Sequence, residues 1–447
     1  MSKSGSVLEQ LGRQFRSPTA PGSSSSADLG ASAGRGRDTA RWILALAACV
    51  ALGAYAMHTQ IGDTTRTAVD LFVYRNAGTW VLHGYSPYAP SFGRHLVVPL
   101  PFTYPPFAAL VAVPLALAPE VPLAWVWDAA CLVVLALVLA VYFRPLAERA
   151  GRWMPMAYAA LFIAALWTRP VRNNLGFGQI DILLMAICML DLLVENPRWP
   201  RGLLIGLLAA IQVAPAIFGV YLLLSRRWSA FWTALLTALA ATAIGAIFLP
   251  GSSFTYFTKL LFKPNRVGNV AYFSNQSLWG MLARASFGYW HTPVLALGLV
   301  VILVGGLAAA VVAGRDDGKL AVALVGLVWV LVSPVTWIHG EVWLLPAIAL
   351  VVADARSPWR VGLGLLSGFV LVYHIRNLDR HPALSGIPAA LRGPLVDVYG
   401  LLAVVLLVVL SAAPLRKLLR DRSLRPIARV EELAGSAGVT AGASQAD

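Results

Sequence analysis

Apolar runs separated by short polar connections fill the chain from residue 42 to residue 413. They lie at about 42–58, 104–118, 121–143, 154–168, 180–194, 202–224, 229–249, 293–313, 319–335, 339–354, 361–375 and 393–413. A helix needs roughly 20 mostly apolar residues to cross a bilayer, and most of these runs approach that length. Hydrocarbon offers no partner for a backbone amide or carbonyl, so such runs must be helical. The predicted fold class is therefore an all-α polytopic membrane protein with about twelve spans. Only 13% of the residues are charged and 58% are hydrophobic, whereas soluble domains carry about 25% charged residues. That excludes a soluble globular protein and a mostly disordered one.

Three regions follow. Residues 1–41 are rich in Gly, Ser and Ala and read as a disordered cytoplasmic tail, too long and polar for a cleaved signal peptide. Residues 42–413 form the membrane domain, and 414–447 return to a tail composition. Cys49, Cys131 and Cys188 each sit in an apolar run, with no disulfide or metal spacing between them.

The net charge of +14 is concentrated in short loops: Arg144, Arg149 and Arg152; Arg198 and Arg201; Arg226 and Arg227; Arg315 and Lys319; Arg356 and Arg360; and Arg416, Lys417, Arg420 and Arg422. Charge placed between apolar runs argues for membrane orientation and against nucleic acid, and puts these loops and both tails in the cytoplasm. A strict alternation of twelve spans conflicts with that rule. The conflict disappears if 104–118 is an interfacial or re-entrant helix and 202–224 is two short helices bent at Pro215. The segments 59–103, 169–179, 250–292, 334–340 and 376–392 then share the outer face. Polar loops gathered on one face point to a site there.

Asp70 lies in an aromatic and apolar stretch at the start of the first outer loop. A partly desolvated carboxylate suits a general base, although a helix cap or a pair with Arg75 would also place it there. Tyr104-Pro105-Pro106 is a rigid helix start with a tyrosine at interface depth. The turn from Arg169 to Asp181 holds Arg172, Asn173, Asn174 and Gln179, a set able to cradle phosphate, or else arginines snorkelling to the interface with Asp181 as partner. Lys259, Lys263 and Arg266 in the second outer loop can meet lipid phosphate or an anionic substrate, and Asn275-Gln276-Ser277 offers amides suited to sugar hydroxyls. That tripeptide also fits the glycosylation acceptor pattern, which is frequent by chance. His339 and Glu341 lie between Trp337 and Trp343 at the outer end of a span, where ionisable groups are costly and mark function. The two tryptophans either stack on a sugar or belong to the interfacial aromatic belt. Gln212 precedes the Pro215 break and can satisfy the backbone groups freed there. Asp128 and Asp354 receive no role.

Four ordered segments carry a family resemblance: Asp70-Leu-Phe-Val-Tyr74 with Gly84 and Pro87-Tyr88; Phe102-Thr-Tyr-Pro-Pro106; Gly178-Gln179; and Asn275-Gln276-Ser277 with Ser333-Pro334-Val-Thr-Trp337-Ile-His339. Over residues 40–415 the chain resembles polyprenyl-phosphate-sugar-dependent glycosyltransferases of the GT-C fold. More narrowly it resembles glycosyltransferase family 87, the phosphatidylinositol mannoside and lipomannan α-(1→2)-mannosyltransferases. The resemblance implies a plasma-membrane enzyme acting on its outer face, with polyprenyl phosphate mannose as donor, a glycolipid acceptor and no metal or other cofactor. It implies Asp70 as general base and His339 beside the acceptor or donor phosphate, with Tyr74, Tyr104, Arg172, Gln179 and Gln276 in matching motifs. Two departures stand out. Gly340 replaces a second histidine common in the family, and Gln212 replaces a lysine, so another cation must meet the donor phosphate here. The implied chemistry is an inverting displacement. The nearest alternative is an arabinofuranosyl donor on the same fold. A lipid or sugar transporter is a more distant one, disfavoured because no repeated halves are visible.

Overall fold

Proline opens several of the apolar helices and glycine closes a critical one, as their backbone preferences dictate. The computed structural model describes residues 28–61, 68–94, 96, 98–263, 266–285, 291–353, 355–373 and 394–442. Regular structure among them is helical, with an isolated bridge between Asn275 and Trp337.

In chain order the helices that matter here are α1 (Asp28–Ile61), α2 (Val69–Leu82), α3 (Pro106–Val111), α4 (Val113–Ala116), α5 (Glu120–Tyr142), α6 (Met154–Trp167), α7 (Arg169–Phe177), α8 (Asp181–Leu193), α9 (Leu203–Ile211), α10 (Ala216–Leu224) and α11 (Trp228–Phe248). They continue with α12 (Pro250–Thr255), α13 (Leu278–Arg284), α14 (His291–Ala313), α15 (Gly318–Val332), α16 (Leu344–Val352), α17 (Pro358–Val372) and α18 (Val398–Gly442). A 3-10 segment, Ile338–Trp343, precedes α16.

Among the described residues, four helices are long and apolar enough to cross a bilayer unaided: α5, α11, Thr292–Ala313 of α14 and Val398–Arg420 of α18. A fifth span results if α7 and α8, bent by 108°, count as one. The dozen apolar runs are thus not a dozen full-length spans, because proline and glycine break several of them. The run at 104–118 forms only the short α3 and α4, and 202–224 divides into α9 and α10 around Gln212–Pro215, as the two sequence adjustments require. Both predicted tails contain helix. α1 begins at Asp28 and α18 continues to Gly442, since extending an existing helix costs little once its nucleus is formed. The segment 376–392 and Asp354 fall outside the described residues.

α15 is the central helix, with every residue from Ala321 to Leu331 buried against its neighbours. Its two ends differ in character. At one end Lys319 Nζ donates to the Val141 carbonyl, Arg227 to the Gly314 carbonyl, and Lys417 pairs with Asp316 at 2.7 Å. Basic loops far apart in sequence therefore converge at this end. α8 ends there and α15 starts there: Leu193 packs near Gly318, while Asp181 and Ser333 lie at the far ends of these helices. At 1.5 Å per residue, α8 alone separates the two ends by roughly 18 Å.

Candidate active site

The far end is organised by the docking of α2 onto the bend between α7 and α8. Gly178 caps α7 at φ +66°, and a Cβ there would lie 2.6 Å from the Leu71 Cβ. Only glycine accepts both that backbone conformation and that approach. Beside it, Ala68 donates its backbone N–H to the Gly176 carbonyl at 2.7 Å. Asp70, in the first turn of α2, is thereby brought to Gln179 and Asp181 at the head of α8.

These groups form the polar end of a cavity of about 710 Å³. The Tyr74 hydroxyl donates to Gln179 Oε1 at 2.8 Å and lies 2.9 Å from the Tyr104 hydroxyl. Its single proton being committed to Gln179, Tyr74 accepts from Tyr104. The Gln179 amide hydrogen-bonds Asp70 in turn. Burial pushes the Asp70 carboxyl above the ordinary carboxylate value, and His339 and the Gln179 bond pull it part of the way back. The phenols of Tyr74 and Tyr104 are driven well up by burial, so both stay protonated as donors.

His339 Nδ1 lies 2.6 Å from Asp181 Oδ2, both side chains being nearly buried. An ionised carboxylate can only accept, so the proton sits on Nδ1 and Nε2 is left for another partner. The sequence suggests nearby arginines as partners for Asp181; the structure gives it to His339 instead. The available signal was its position, a carboxylate opening an apolar helix straight after Gly178-Gln179.

Away from this polar end the cavity wall turns apolar, with Val213, Ile217 and Val220 beside Leu260, Leu261 and Phe262. Lys263, Arg266 and Trp337 also line it. Arg266 is mostly committed: it donates to the carbonyls of Phe102 (2.7 Å) and Thr103 (2.8 Å) and lies over the rings of Tyr88 and Tyr256. The Tyr88 hydroxyl donates to the Tyr104 carbonyl at 2.7 Å. Three consecutive carbonyls are thus held, and Tyr104 is held with them. Gln212 lines the cavity too. Its buried Oε1 has no hydrogen-bond partner among the described residues.

Other predicted site residues do not face the cavity. Asn275 and Gln276 are fully buried and saturated by backbone groups. Asn275 donates to the Val270 and Pro334 carbonyls and accepts from the Thr336 N–H. Gln276 donates to the Phe273 and Val396 carbonyls and accepts from the N–H groups of Tyr399 and Gly400. Asn275 clasps the Ser333–Trp337 strand of chain that leads to His339, Gln276 ties its own loop to the start of α18, and burial closes Asn275 to glycosylation. Glu341 is fully buried outside the cavity, with neither carboxyl oxygen hydrogen-bonded among the described residues. Three residues per turn in a 3-10 helix set positions 339 and 341 on different faces. Trp343 is buried against Phe218 and Trp329 and so serves neither a sugar nor the aromatic belt. Arg172 lies over the Trp167 ring and Lys259 is exposed, both away from the cavity lining.

Comparison with known proteins matches this sequence to one family. The sequence profile of glycosyltransferase family 87 matches residues 102–334. A "polyprenol-phosphate-mannose-dependent alpha-(1-2)-phosphatidylinositol pentamannoside mannosyltransferase" of Mycolicibacterium smegmatis is 34% identical over 62% of this chain and 68% of its own length. A "polyprenol-phosphate-mannose-dependent alpha-(1-2)-phosphatidylinositol mannoside mannosyltransferase" of Mycobacterium tuberculosis is 32% identical over 75% of this chain and 82% of its own. No solved structure gives a significant match.

Proposed function

Because the chain belongs to glycosyltransferase family 87, we propose that it transfers mannose from polyprenyl phosphate mannose to a phosphatidylinositol mannoside or lipomannan acceptor, forming an α-(1→2) bond. The observation that carries this reading is the two-ended cavity: a carboxylate, an imidazole and an amide at one end, and apolar walls able to hold a lipid at the other.

Asp70 takes the proton of an acceptor hydroxyl. The resulting oxygen attacks the anomeric carbon as the bond from that carbon to the phosphate oxygen breaks, and polyprenyl phosphate leaves with the electron pair. Attack opposite the leaving group turns a β-linked donor into an α-mannoside. His339, held by Asp181, and Lys263 are the groups lining the cavity that can meet the departing phosphate. Lys263 thereby takes the part of the lysine that Gln212 replaces. Tyr74, Tyr104 and Gln179 orient Asp70, and Trp337 offers an aromatic face to a sugar.

The convergence of the basic loops at the opposite end supports an outer-face site in the plasma membrane under the positive-inside rule. The shorter apolar helices would complete a GT-C bundle of about twelve spans. The test is incubation of the purified protein with labelled polyprenyl phosphate mannose and phosphatidylinositol mannosides, followed by linkage analysis. The expected product is an α-(1→2)-linked mannoside, absent with Asp70→Asn. Transfer from a polyprenyl-phosphoryl arabinofuranose donor alone, or full turnover by Asp70→Asn, would overturn the reading.

A further inference from the structure

A second hollow, of about 450 Å³, lies along the C-terminal half of α2. It is lined by Thr79, Trp80, His83, Tyr85, Ser86 and Ser91, with Asn76 and Ala89 completing the wall. Its place on the helix separates it from the cavity. At 3.6 residues per turn, Thr79 and His83 are about half a turn around from Asp70, and at 1.5 Å per residue they lie roughly 14 to 20 Å along the axis. The helix itself, with Trp80 packed on Phe92 and Phe92 on Phe102, forms the partition. A sugar held here is not the one being transferred.

The chemistry of the lining is selective. It holds no lysine, arginine or carboxylate, so neither a phosphate nor a cation finds the charge it would need. It holds two aromatic rings in edge contact, Trp80 and Tyr85, with centroids 5.8 Å apart, and Tyr85 is 62% exposed. An exposed tyrosine of that area offers an apolar face to the C–H groups of a pyranose. Around the rings stand neutral polar groups with defined roles. Thr79 Oγ1 donates to the Arg75 carbonyl and keeps lone pairs as acceptor. His83 Nδ1 is 2.7 Å from the Thr79 carbonyl, which assigns the proton to Nδ1 and leaves Nε2 as acceptor. Ser86 is anchored 2.8 Å from the Ser252 hydroxyl on α12. Concave shape, this volume, an aromatic platform and a few fixed neutral acceptors are what a small neutral ligand with many hydroxyls requires.

We propose that this hollow is a second saccharide site, taking a neutral hexopyranoside unit of a glycan whose reacting end lies elsewhere. Its relevance to this enzyme rests on the glycosyltransferase reading above; its chemistry rests on its own lining. Such a site would tether a glycan-bearing molecule at the outer end of α2 beside the reaction cavity.

The test is photo-crosslinking of the full-length protein in nanodiscs with a diazirine-bearing mannobioside, mapped by mass spectrometry in the Asp70→Asn background. Label is expected within residues 76–91, reduced at least fivefold by Tyr85→Ala and largely retained by Tyr85→Phe, which keeps the ring face. His83→Ala, another exposed position, should also weaken it. Tyr85-dependent capture of the free mannobioside identifies a soluble glycan as sufficient. Capture only when the same photoreactive sugar is borne on a glycolipid in the nanodisc identifies a lipid headgroup. Label confined to cavity peptides, or unaffected by Tyr85→Ala, overturns the proposal. Mannosyl transfer is scored separately: its absence with every donor while Tyr85-dependent labelling persists would sink the transferase reading and leave this site standing.

Discussion

Asp181 is the residue whose removal tests the geometry of the reaction end most sharply. Its carboxylate meets His339 Nδ1 at 2.6 Å, with the two side chains only 9% and 11% exposed. Asp181→Ala leaves a nearly buried imidazole without that partner, the loss of a hydrogen bond to a charged group that contributes about 1.5 to 3 kcal/mol. If two thirds of that is felt in a transition state in which His339 meets the departing phosphate as proposed, turnover falls about 5- to 30-fold at 1.36 kcal/mol per decade. Asp181→Asn is milder. A neutral hydrogen bond contributes about 1 kcal/mol against 1.5 to 3 for a charged one, so the loss is about 0.5 to 2 kcal/mol, and the same two-thirds share gives about 2- to 10-fold. The assay is the initial rate of mannosyl transfer at saturating donor, with a thermal melt of each variant to confirm folding. Asp181 acts through His339, so its effect should vanish once the histidine is gone. Asp181→Ala/His339→Ala should be within about threefold of His339→Ala alone, the non-additivity expected of residues acting as a unit. Multiplying effects, or an Asp181→Ala enzyme within threefold of wild type, would refute the positioning argument.

Gln179→Leu removes a hydrogen bond that pulls the Asp70 carboxyl down while burial keeps pushing it up. A base must be unprotonated, so the acidic limb of the pH–rate profile should move to higher pH; a limb that stays put or moves lower contradicts the arrangement. Arg266→Lys keeps the charge but loses the two-pronged hold on Phe102 and Thr103. Turnover should drop about tenfold with donor KM little changed, whereas full activity with lysine would mean that charge alone matters there. Asn275→Ala strips a buried amide from the Val270, Pro334 and Thr336 backbone groups. It should destabilise the protein by about 2 to 4 kcal/mol, read as a lowered Tm, and a raised donor KM with unchanged Tm would restore Asn275 to substrate binding. Glu341→Gln should leave transfer within about twofold of wild type, since the side chain is buried off the cavity.

Much of the site was legible as residue types in order. Asp70, Tyr74, Tyr104, Gln179 and His339 were marked from the sequence, and all of them line one cavity. The errors share a cause. Asn275, Gln276 and Glu341 are polar residues in apolar surroundings, a pattern produced equally by substrate contact and by structural clasping. Whether an amide faces a ligand or a backbone carbonyl depends on what the rest of the chain brings to it. For Gln276 that is Val396 and Tyr399, some 120 residues onward. Arg266 illustrates the same limit, since its guanidinium is occupied by carbonyls 163 and 164 residues away in the chain.

Hydrophobic runs, proline breaks and loop charge depend only on local composition. From the sequence alone they determine an all-helical membrane protein and the division of 202–224 into two helices. The pairing of His339 with Asp181, the placing of Asp70 beside Gln179 across the Gly178 bend, and the division of α2 between two separate hollows arise from contacts between distant segments. Those contacts were decided only when the helices packed, because a one-dimensional pattern records what each residue can do and not which partner reaches it.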